Sequence, residues 1–272
     1  MQPVLFTKLF QDQTVEEIAT HAQEAGFRAI DLLVRPGHQV EPGNSRELAG
    51  AVKVLEQQGL AVTMVTTDLV DPEDQDTEAV LVACAESNIG LIRLGYWKYD
   101  GARRYADCLD TARRQLAGLA GLAERYGVRL AVQLHGGTIH GSGAQAATLL
   151  DGIDPSLIGA YPDPGNQTVQ DGREDWRFTF DILADRLCCV GVKNGGWFPA
   201  DLAPSGQRHW QSDWLGLADG MVPWDDVMAY LAGSGYDGPL SFHSHYEVPL
   251  AQALDQTQTD LRFIERQIRT SS

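Results

Sequence analysis

The stretch YGVRLAVQLH, Tyr126–His135, contains the unit that recurs along the whole chain. It begins at the end of an amphipathic run, crosses Gly127 and continues as a short run of alternating apolar residues. Glycine commonly ends a helix, and a short apolar run bounded by turn residues indicates a buried strand. Gly26 and Gly59 also follow a helical run and precede a strand. The stretch therefore predicts a chain of alternating helices and strands.

Eight strand candidates alternate with eight helix candidates. The strand candidates are Val4–Lys8, Ala29–Val34, Ala61–Thr66, Leu91–Gly95, Arg129–His135, Leu157–Asp163, Cys188–Lys193 and Leu240–His245. The helix candidates are Thr14–Ala25, Ser45–Gln58, Thr77–Ser87, Tyr105–Tyr126, Gln145–Leu150, Trp176–Ala184, Trp224–Ala232 and Leu250–Ile268. Eight βα units in 272 residues are typical of a (β/α)₈ TIM barrel. The alternative, a doubly wound open sheet, usually has fewer strands, and no glycine-rich dinucleotide turn follows the first strand. We predict one α/β domain spanning residues 1–272.

The composition narrows the classes of partner. The net charge of −16 argues against nucleic acid and against an anionic membrane surface, because both need clustered positive charge. The sequence contains no apolar run long enough to span a membrane, and MQPVLFTKLFQDQ does not resemble a signal peptide. Four cysteines without a CxxC pair are typical of free thiols, so we expect a cytoplasmic protein. The sequence leaves open whether the protein is a homo-oligomer.

Polar residues end four consecutive strand candidates on the same face. In a barrel, inward positions near the carboxyl ends of the strands face the active site. The alternation places six such residues inward, and we expect them to converge at one mouth: Gln133, His135, Asp163, Lys193, His243 and His245. Earlier strands and their loops add Lys8, Asp31, Arg35, His38, Arg93, Tyr96 and Lys98 near the same rim. The alternative is that these strand ends only face solvent.

Five segments of the chain resemble motifs of the xylose-isomerase-like sugar phosphate isomerase/epimerase superfamily. They appear in the family's order and spacing: AGFRAIDLLVRPGHQVEP, LAVQLHGG, IGAYPDPGN, CVGVKN and GYDGPLSFHSHYE. The superfamily includes tagatose epimerases and endonuclease IV, and its fold is the (β/α)₈ barrel. The resemblance covers most of the chain and implies the fold and the superfamily, but no particular substrate.

The resemblance implies a divalent metal held by a Glu, an Asp, a His and a second Glu at the ends of strands five to eight. The two glutamates commonly also move the proton beside the substrate's carbonyl. In this chain the four positions are Gln133, Asp163, Gly191 and His243. Only the aspartate is retained, together with His135 and Lys193 of neighbouring motif positions. Asn166 and Asn194 replace a His and an Asp of the family motifs.

These substitutions leave open whether the protein binds a divalent metal as a cofactor. A site of Gln133, Asp163 and His243, with His135 or His245 joining, could hold Mn²⁺, Zn²⁺, Co²⁺, Ni²⁺ or Mg²⁺; the histidine favours the borderline metals. The alternative is a polar pocket that no longer holds metal.

The predicted function is that of a sugar isomerase or epimerase that moves a proton next to the carbonyl of a sugar or keto-sugar. His243, His135 and Lys193 are the predicted catalytic residues, because histidine titrates near neutral pH and lysine can stabilise an enolate oxygen. The predicted contacts to the carbohydrate are His245, Asn166, Asn194, Arg35, His38, Tyr96 and Trp197. Alternatives are a lyase or dehydratase on a keto-sugar and a carbohydrate-binding barrel without activity. The segment Gly195–Gly220 is predicted to be a long loop that forms a lid or a wall of the site.

Overall fold

A parallel sheet forms the centre of the protein, in a computed structural model that describes residues 1–170 and 174–271. Its strands are β1 Gln2–Phe6, β2 Ala29–Leu33, β3 Ala61–Thr66, β4 Leu91–Arg93, β5 Arg129–Gln133, β6 Ile158–Tyr161, β7 Val190–Val192 and β10 Pro239–Phe242. Two further strands, β8 Asn194–Leu202 and β9 Arg208–Leu215, form a pair outside this sheet. The α-helices are α1 Val15–Glu24, α2 Leu48–Gln57, α3 Gln75–Glu86, α4 Tyr105–Tyr126, α5 Gly143–Leu150, α6 Pro164–Val169, α7 Trp176–Ile182, α8 Trp224–Gly233 and α9 Leu250–Ser271. Short 3₁₀ turns occupy Thr7–Phe10, Pro42–Glu47 and Ala184–Arg186.

The eight parallel strands form a nearly closed barrel. They are hydrogen-bonded in the order β6-β5-β4-β3-β2-β1-β10-β7. The two end strands meet through a parallel bridge between Ala160 and Leu187, and the Cys188 amide donates to the Ala160 carbonyl at 3.0 Å. The helices surround this sheet. The prediction of a (β/α)₈ TIM barrel is therefore confirmed.

Local signals explain why the helices begin and end where they do. Thr14 accepts a hydrogen bond from the Glu17 amide while Glu17 accepts one from the Thr14 amide, which is a capping box for α1. Gly127 ends α4 with a φ of 64°, a left-handed conformation that favours glycine. The buried faces of the helices pack on the outer side of the strands, while smaller inward residues such as Ala29, Ala131 and Cys189 fill the barrel.

The structure contains secondary structure in two segments where the sequence predicted none. The segment predicted as a loop at Gly195–Gly220 contains an antiparallel hairpin, β8 and β9, which turns near Gly206. Its residues are mostly exposed, so it lacks the apolar alternation from which a buried strand is recognised. The prediction also missed α6, which is a short helix of six residues after β6. None of the helices within the described ranges is long and apolar enough to cross a membrane.

Candidate active site

Asp163 is the centre of the polar cluster at the carboxyl ends of β5, β6 and β7. It lies two residues beyond β6 and caps α6 by accepting a hydrogen bond from the Asn166 amide at Oδ1, 2.8 Å away. Its other oxygen, Oδ2, accepts from Gln133 Nε2 at 2.8 Å and lies 3.1 Å from Lys193 Nζ. Asp163 has no exposed surface. Both carboxylate oxygens are thus engaged by hydrogen-bond donors of the protein.

The position of Asp163 depends on the glycine in the neighbouring strand. A Cβ atom added to Gly191 would lie 2.5 Å from Oδ2 of Asp163. That distance is far below a normal contact, so any side chain at this position would displace the carboxylate. Because Gly191 has no side chain, the Asp163 carboxylate can occupy this space and approach Lys193.

Gln133 is held with its carbonyl oxygen away from Asp163. Oε1 accepts hydrogen bonds from Arg93 Nε at 3.1 Å and from the Tyr96 hydroxyl at 2.8 Å. Arg93 is buried, donates to the Thr67 carbonyl at 2.6 Å, and lies 4.2 Å from the centre of the Tyr96 ring. The amide consequently acts as a donor to Asp163 and as an acceptor towards the Arg93 guanidinium.

Lys193 extends the cluster into the barrel mouth. The aliphatic part of this side chain is buried, and Nζ lies 4.8 Å from the centre of the Trp214 ring, which belongs to the hairpin. Burial lowers the pKa of Lys193, and the Asp163 carboxylate opposes that shift. Lys193 is thus a buried cation held between one carboxylate and one aromatic face.

His243 lies on the inward side just beyond β10. Its Nε2 is 2.7 Å from the Tyr161 hydroxyl, and its ring centre is 4.4 Å from that of Phe6. Burial lowers the pKa of His243 well below its usual range, and the charge of Lys193 lowers it further. The imidazole is therefore neutral at physiological pH.

His135 and His245 lie at the rim rather than on the floor. His135 packs against Tyr96 with ring centres 4.4 Å apart, and its Nδ1 is 2.8 Å from the Gly136 carbonyl oxygen. Burial also lowers the pKa of His135. His245 faces Trp214 at 5.7 Å and lines, with Lys8, a cavity of about 410 Å³. This cavity is the part of the mouth nearest to β1 and β10.

The predicted contacts after β2 lie in a second charged group. Arg35 Nη2 forms an ion pair with Asp68 Oδ1 at 2.6 Å, and Arg93 Nη1 approaches the same oxygen at 4.0 Å. Neither Arg35 Nε nor His38 Nδ1 has a hydrogen-bond partner, although both atoms are buried. Buried donors without partners are unusual and are candidates for contact with a ligand or water.

The two predicted asparagines and Trp197 make contacts within the protein. Asn194 donates to the Leu217 and Val222 carbonyls and accepts from the Gly195 and Val222 amides, so it fastens the base of the hairpin. Asn166 Nδ2 donates to the Leu134 carbonyl at 2.9 Å. Trp197 Nε1 donates to the Thr168 carbonyl at 2.7 Å. Their visible role is to position α6 and the hairpin around the mouth.

The donor set fits a divalent cation poorly. Asp163 already accepts from Gln133, Asn166 and Lys193, and the ammonium and guanidinium groups beside it repel a cation. Across residues 1–170 and 174–271, no three His, Cys, Asp or Glu side chains come close enough to hold a metal ion together. The prediction that Gln133, Asp163 and His243 bind metal gains no support from these contacts.

Three residues important to this geometry were not among the predicted catalytic, metal or carbohydrate contacts: Arg93, which was expected only near the rim, Tyr161 and Trp214. Strand parity places Tyr161 on the inward face, which was the available signal. For Trp214 the signal was its aromatic side chain within the segment Gly195–Gly220, which is predicted to form a lid or a wall of the site; its place on a hairpin strand was not predicted.

Comparisons with known proteins agree on the fold. Solved structures that superpose on this chain include a xylose isomerase-like TIM barrel protein from Mycobacterium smegmatis in complex with magnesium, with 16% identity, a TM-score of 0.75 and coverage of 98% and 97% of the two chains. A 3-keto-D-glucoside 4-epimerase from E. coli has 14% identity, a TM-score of 0.71 and coverage of 98% and 99%. A probable 3-DHS dehydratase from Bacillus anthracis has 16% identity, a TM-score of 0.67 and coverage of 97% and 99%. Curated protein sequences give no significant match.

A family model gives the assignment. The model described as "Xylose isomerase-like TIM barrel" matches residues 19–267, which is most of the chain. The predicted resemblance is confirmed, and this chain belongs to the xylose isomerase-like TIM barrel family.

Proposed function

We propose that this protein is a sugar isomerase or epimerase-like enzyme that transfers a proton at the carbon beside a carbonyl of a keto-sugar. The observation that carries the proposal is the buried pair of His243 and Tyr161 on the floor of the mouth, near the cationic groups of Lys193 and Arg93. A neutral imidazole can accept a proton, and positive charges nearby stabilise the enolate that forms.

The imidazole of His243 takes the proton from carbon, and the electron pair of the broken C–H bond moves to the carbonyl oxygen. For Nδ1 to be the accepting atom, Nε2 must carry its hydrogen and donate it to the Tyr161 oxygen. The cations that depress the pKa of His243 would then face an enolate, whose negative charge offsets their effect on the imidazolium. Return of a proton to the other face of the same carbon, with the carbonyl formed again, gives the epimer. Return of the proton to the former carbonyl carbon gives the isomer, in which the hydroxyl proton of the first carbon moves to the enolate oxygen and the oxygen left behind becomes the new carbonyl.

The remaining predicted residues take supporting roles in this proposal. His135 is the second candidate for proton transfer, and His245 contacts substrate in the cavity beside Lys8 and Trp214. Arg35 and His38 are offered as contacts to a polar substituent because each has a buried nitrogen without a partner. Tyr96 contributes an aromatic wall. The free cysteines of the described chain suit a reducing cytoplasm, which we include in the proposal.

Two alternatives share part of this geometry. A dehydratase would use the same enolate and then expel a hydroxyl, and one of the superposable structures is described as a probable dehydratase. A carbohydrate-binding barrel would need neither base, and Gln133, which cannot transfer protons, favours that reading.

Solvent deuterium exchange separates an enzyme that forms an enolate from a carbohydrate-binding barrel without activity. The protein is incubated in D₂O with a panel of ketoses and 3-keto-glycosides, and exchange at the carbon beside the carbonyl is followed by NMR. We expect exchange with the native protein and a loss of about 100-fold or more in His243→Gln. His21→Gln, a change on α1 outside the mouth, is the matched control. Binding of a sugar without exchange would contradict the enzyme and support the binding protein.

A further inference from the structure

Asp163, the one retained residue among the four metal-ligand positions of the family resemblance, is paired with a lysine side chain of the protein. Lys193 Nζ lies 3.1 Å from Asp163 Oδ2, and both groups are buried. A buried carboxylate is costly unless a positive charge is paired with it. In this chain the paired charge is an ammonium group carried by the protein.

The space around Asp163 favours this ammonium over a metal ion. The carboxylate occupies the place that a side chain at position 191 would need, since a Cβ there would be 2.5 Å from Oδ2. Gln133 presents its NH₂ group to Asp163 and its oxygen to Arg93, so it presents a donor where a ligand would be required. Restoring a ligand at 191 would therefore demand that Asp163 move away from Lys193.

The positive charge is also directed towards the mouth. Lys193 lies against the Trp214 ring, which borders the cavity containing His245. The guanidinium of Arg93 backs the cluster from the β4 side through Gln133. A substrate oxygen that reaches Lys193 from the cavity beside Trp214 would meet an ammonium group with hydrogens still available, since lysine offers three donors.

We infer that the Lys193 ammonium group takes the place of the divalent cation in this barrel, so that the protein polarises a substrate oxygen without metal. The choice of a carbonyl oxygen as the target rests on the proposed function. The exclusion of metal by Lys193 does not, and it can be tested without any turnover.

The first test uses the native chain, purified without chelators or an affinity tag. We expect less than about 0.1 metal ion per chain by elemental analysis and no change in melting temperature with millimolar Mn²⁺, Zn²⁺, Co²⁺, Ni²⁺ or Mg²⁺. Stoichiometric metal, or a clear rise in melting temperature with one of these ions, would overturn the inference. This test needs no variant and no substrate.

The second test removes the ammonium group. In Lys193→Met, the Asp163 carboxylate loses its positive partner, so we expect Mn²⁺ affinity, followed by electron paramagnetic resonance, to increase at least about 10-fold over the native chain. Lys53→Met, a change of an exposed lysine in α2 outside the mouth, should leave Mn²⁺ affinity unchanged. Equal affinity in native protein and Lys193→Met would show that Lys193 does not occupy the position of the cation. If Lys193→Met does not fold, the measurements on the native chain still decide.

The third test connects Lys193 to the substrate. In the exchange assay, the rate should fall about 100-fold in Lys193→Met. Lys193→Arg keeps the positive charge and should retain part of the native exchange rate. Full exchange in Lys193→Met would overturn the role of Lys193. If the native protein exchanges no sugar, the proposed function fails, and the metal measurements continue to test the replacement of the cation separately.

Discussion

Asp31 is a buried carboxylate whose ionisation opposes folding. Ser241 Oγ and Thr66 Oγ1 donate to its two oxygens at 2.8 Å, yet burial raises its pKa from 3.8 to about 6. Between these values the native state binds more protons than the unfolded state, so the stability that Asp31 contributes falls as pH rises. Ionisation of Asp31 thus costs stability at neutral pH.

Asp31→Asn should remove this pH dependence. The amide retains one acceptor and gains one donor, so Thr66 and Ser241 can both keep a hydrogen bond. From pH 4 to pH 7, the unfolding free energy of native protein should fall relative to Asp31→Asn by about 2 kcal/mol, because part of the effect of the raised pKa is already lost below pH 4. Urea unfolding of both proteins at each pH measures the difference. A constant difference across this range would contradict the raised pKa.

Gly191→Ala tests whether the position of Asp163 requires a residue without a side chain at 191. The added Cβ would lie 2.5 Å from Oδ2, so Asp163 must move and its contacts with Lys193 and Gln133 must weaken. We expect a loss of about 1–3 kcal/mol in the unfolding free energy, measured with urea. Gly50→Ala is the control, because an added Cβ in α2 meets nothing within 4 Å and should be neutral or stabilising. Equal effects would show that position 191 has room.

The hairpin of β8 and β9 consists of a fastened base and an exposed end. Asn194 holds the base through backbone groups of residues 195, 217 and 222, whereas residues beyond Pro199 and Trp210 are largely exposed. Pro199 has no N–H, so its pair with Trp210 cannot be a hydrogen-bonded one, whereas the next pair, Phe198 and Gln211, can be closed by a two-residue turn.

Replacing residues 199–210 with Asn-Gly should therefore leave the melting temperature within about 2 °C of the native value. Asn194→Ala, in contrast, leaves buried backbone groups without partners and should cost about 2 kcal/mol or more. Thermal and urea unfolding compare the two variants. A large loss on shortening the hairpin would mean that its end is part of the folded core.

The elements that the sequence predicts are those with a repeated physical signal. Gly127 and the Thr14–Glu17 capping box mark helix ends that the structure contains, and parity correctly brought Gln133, Asp163 and Lys193 together. The hairpin was missed because its exposed residues carry no burial pattern. The orientation of Gln133 and the turn of Asp163 into the space beside Gly191 depend on contacts between strands, which no single stretch encodes.

At the scale of the whole molecule, the barrel closes at one narrow seam. β6 and β7 are joined by the bridge of Ala160 to Leu187, by the Cys188 amide to the Ala160 carbonyl, and by the Gly191 amide to the Pro162 carbonyl at 2.9 Å. Asp163 and Lys193 lie immediately beyond this seam, on its two sides. Their ion pair therefore depends on barrel closure.

In Gly159→Ala, the contact between β6 and β7 should open before the contacts between the other strands. An added Cβ would lie 2.7 Å from Cys188 Sγ and 2.8 Å from the Arg186 carbonyl oxygen, so β6 and β7 must separate. We expect about 1–3 kcal/mol of lost stability and faster amide hydrogen exchange in peptides covering residues 158–163 and 186–193, ahead of β1 and β2. Gly90→Ala, where an added Cβ meets nothing within 4 Å, is the control. Exchange that accelerates evenly around the barrel would mean that closure is shared by all strands rather than concentrated where the site is built.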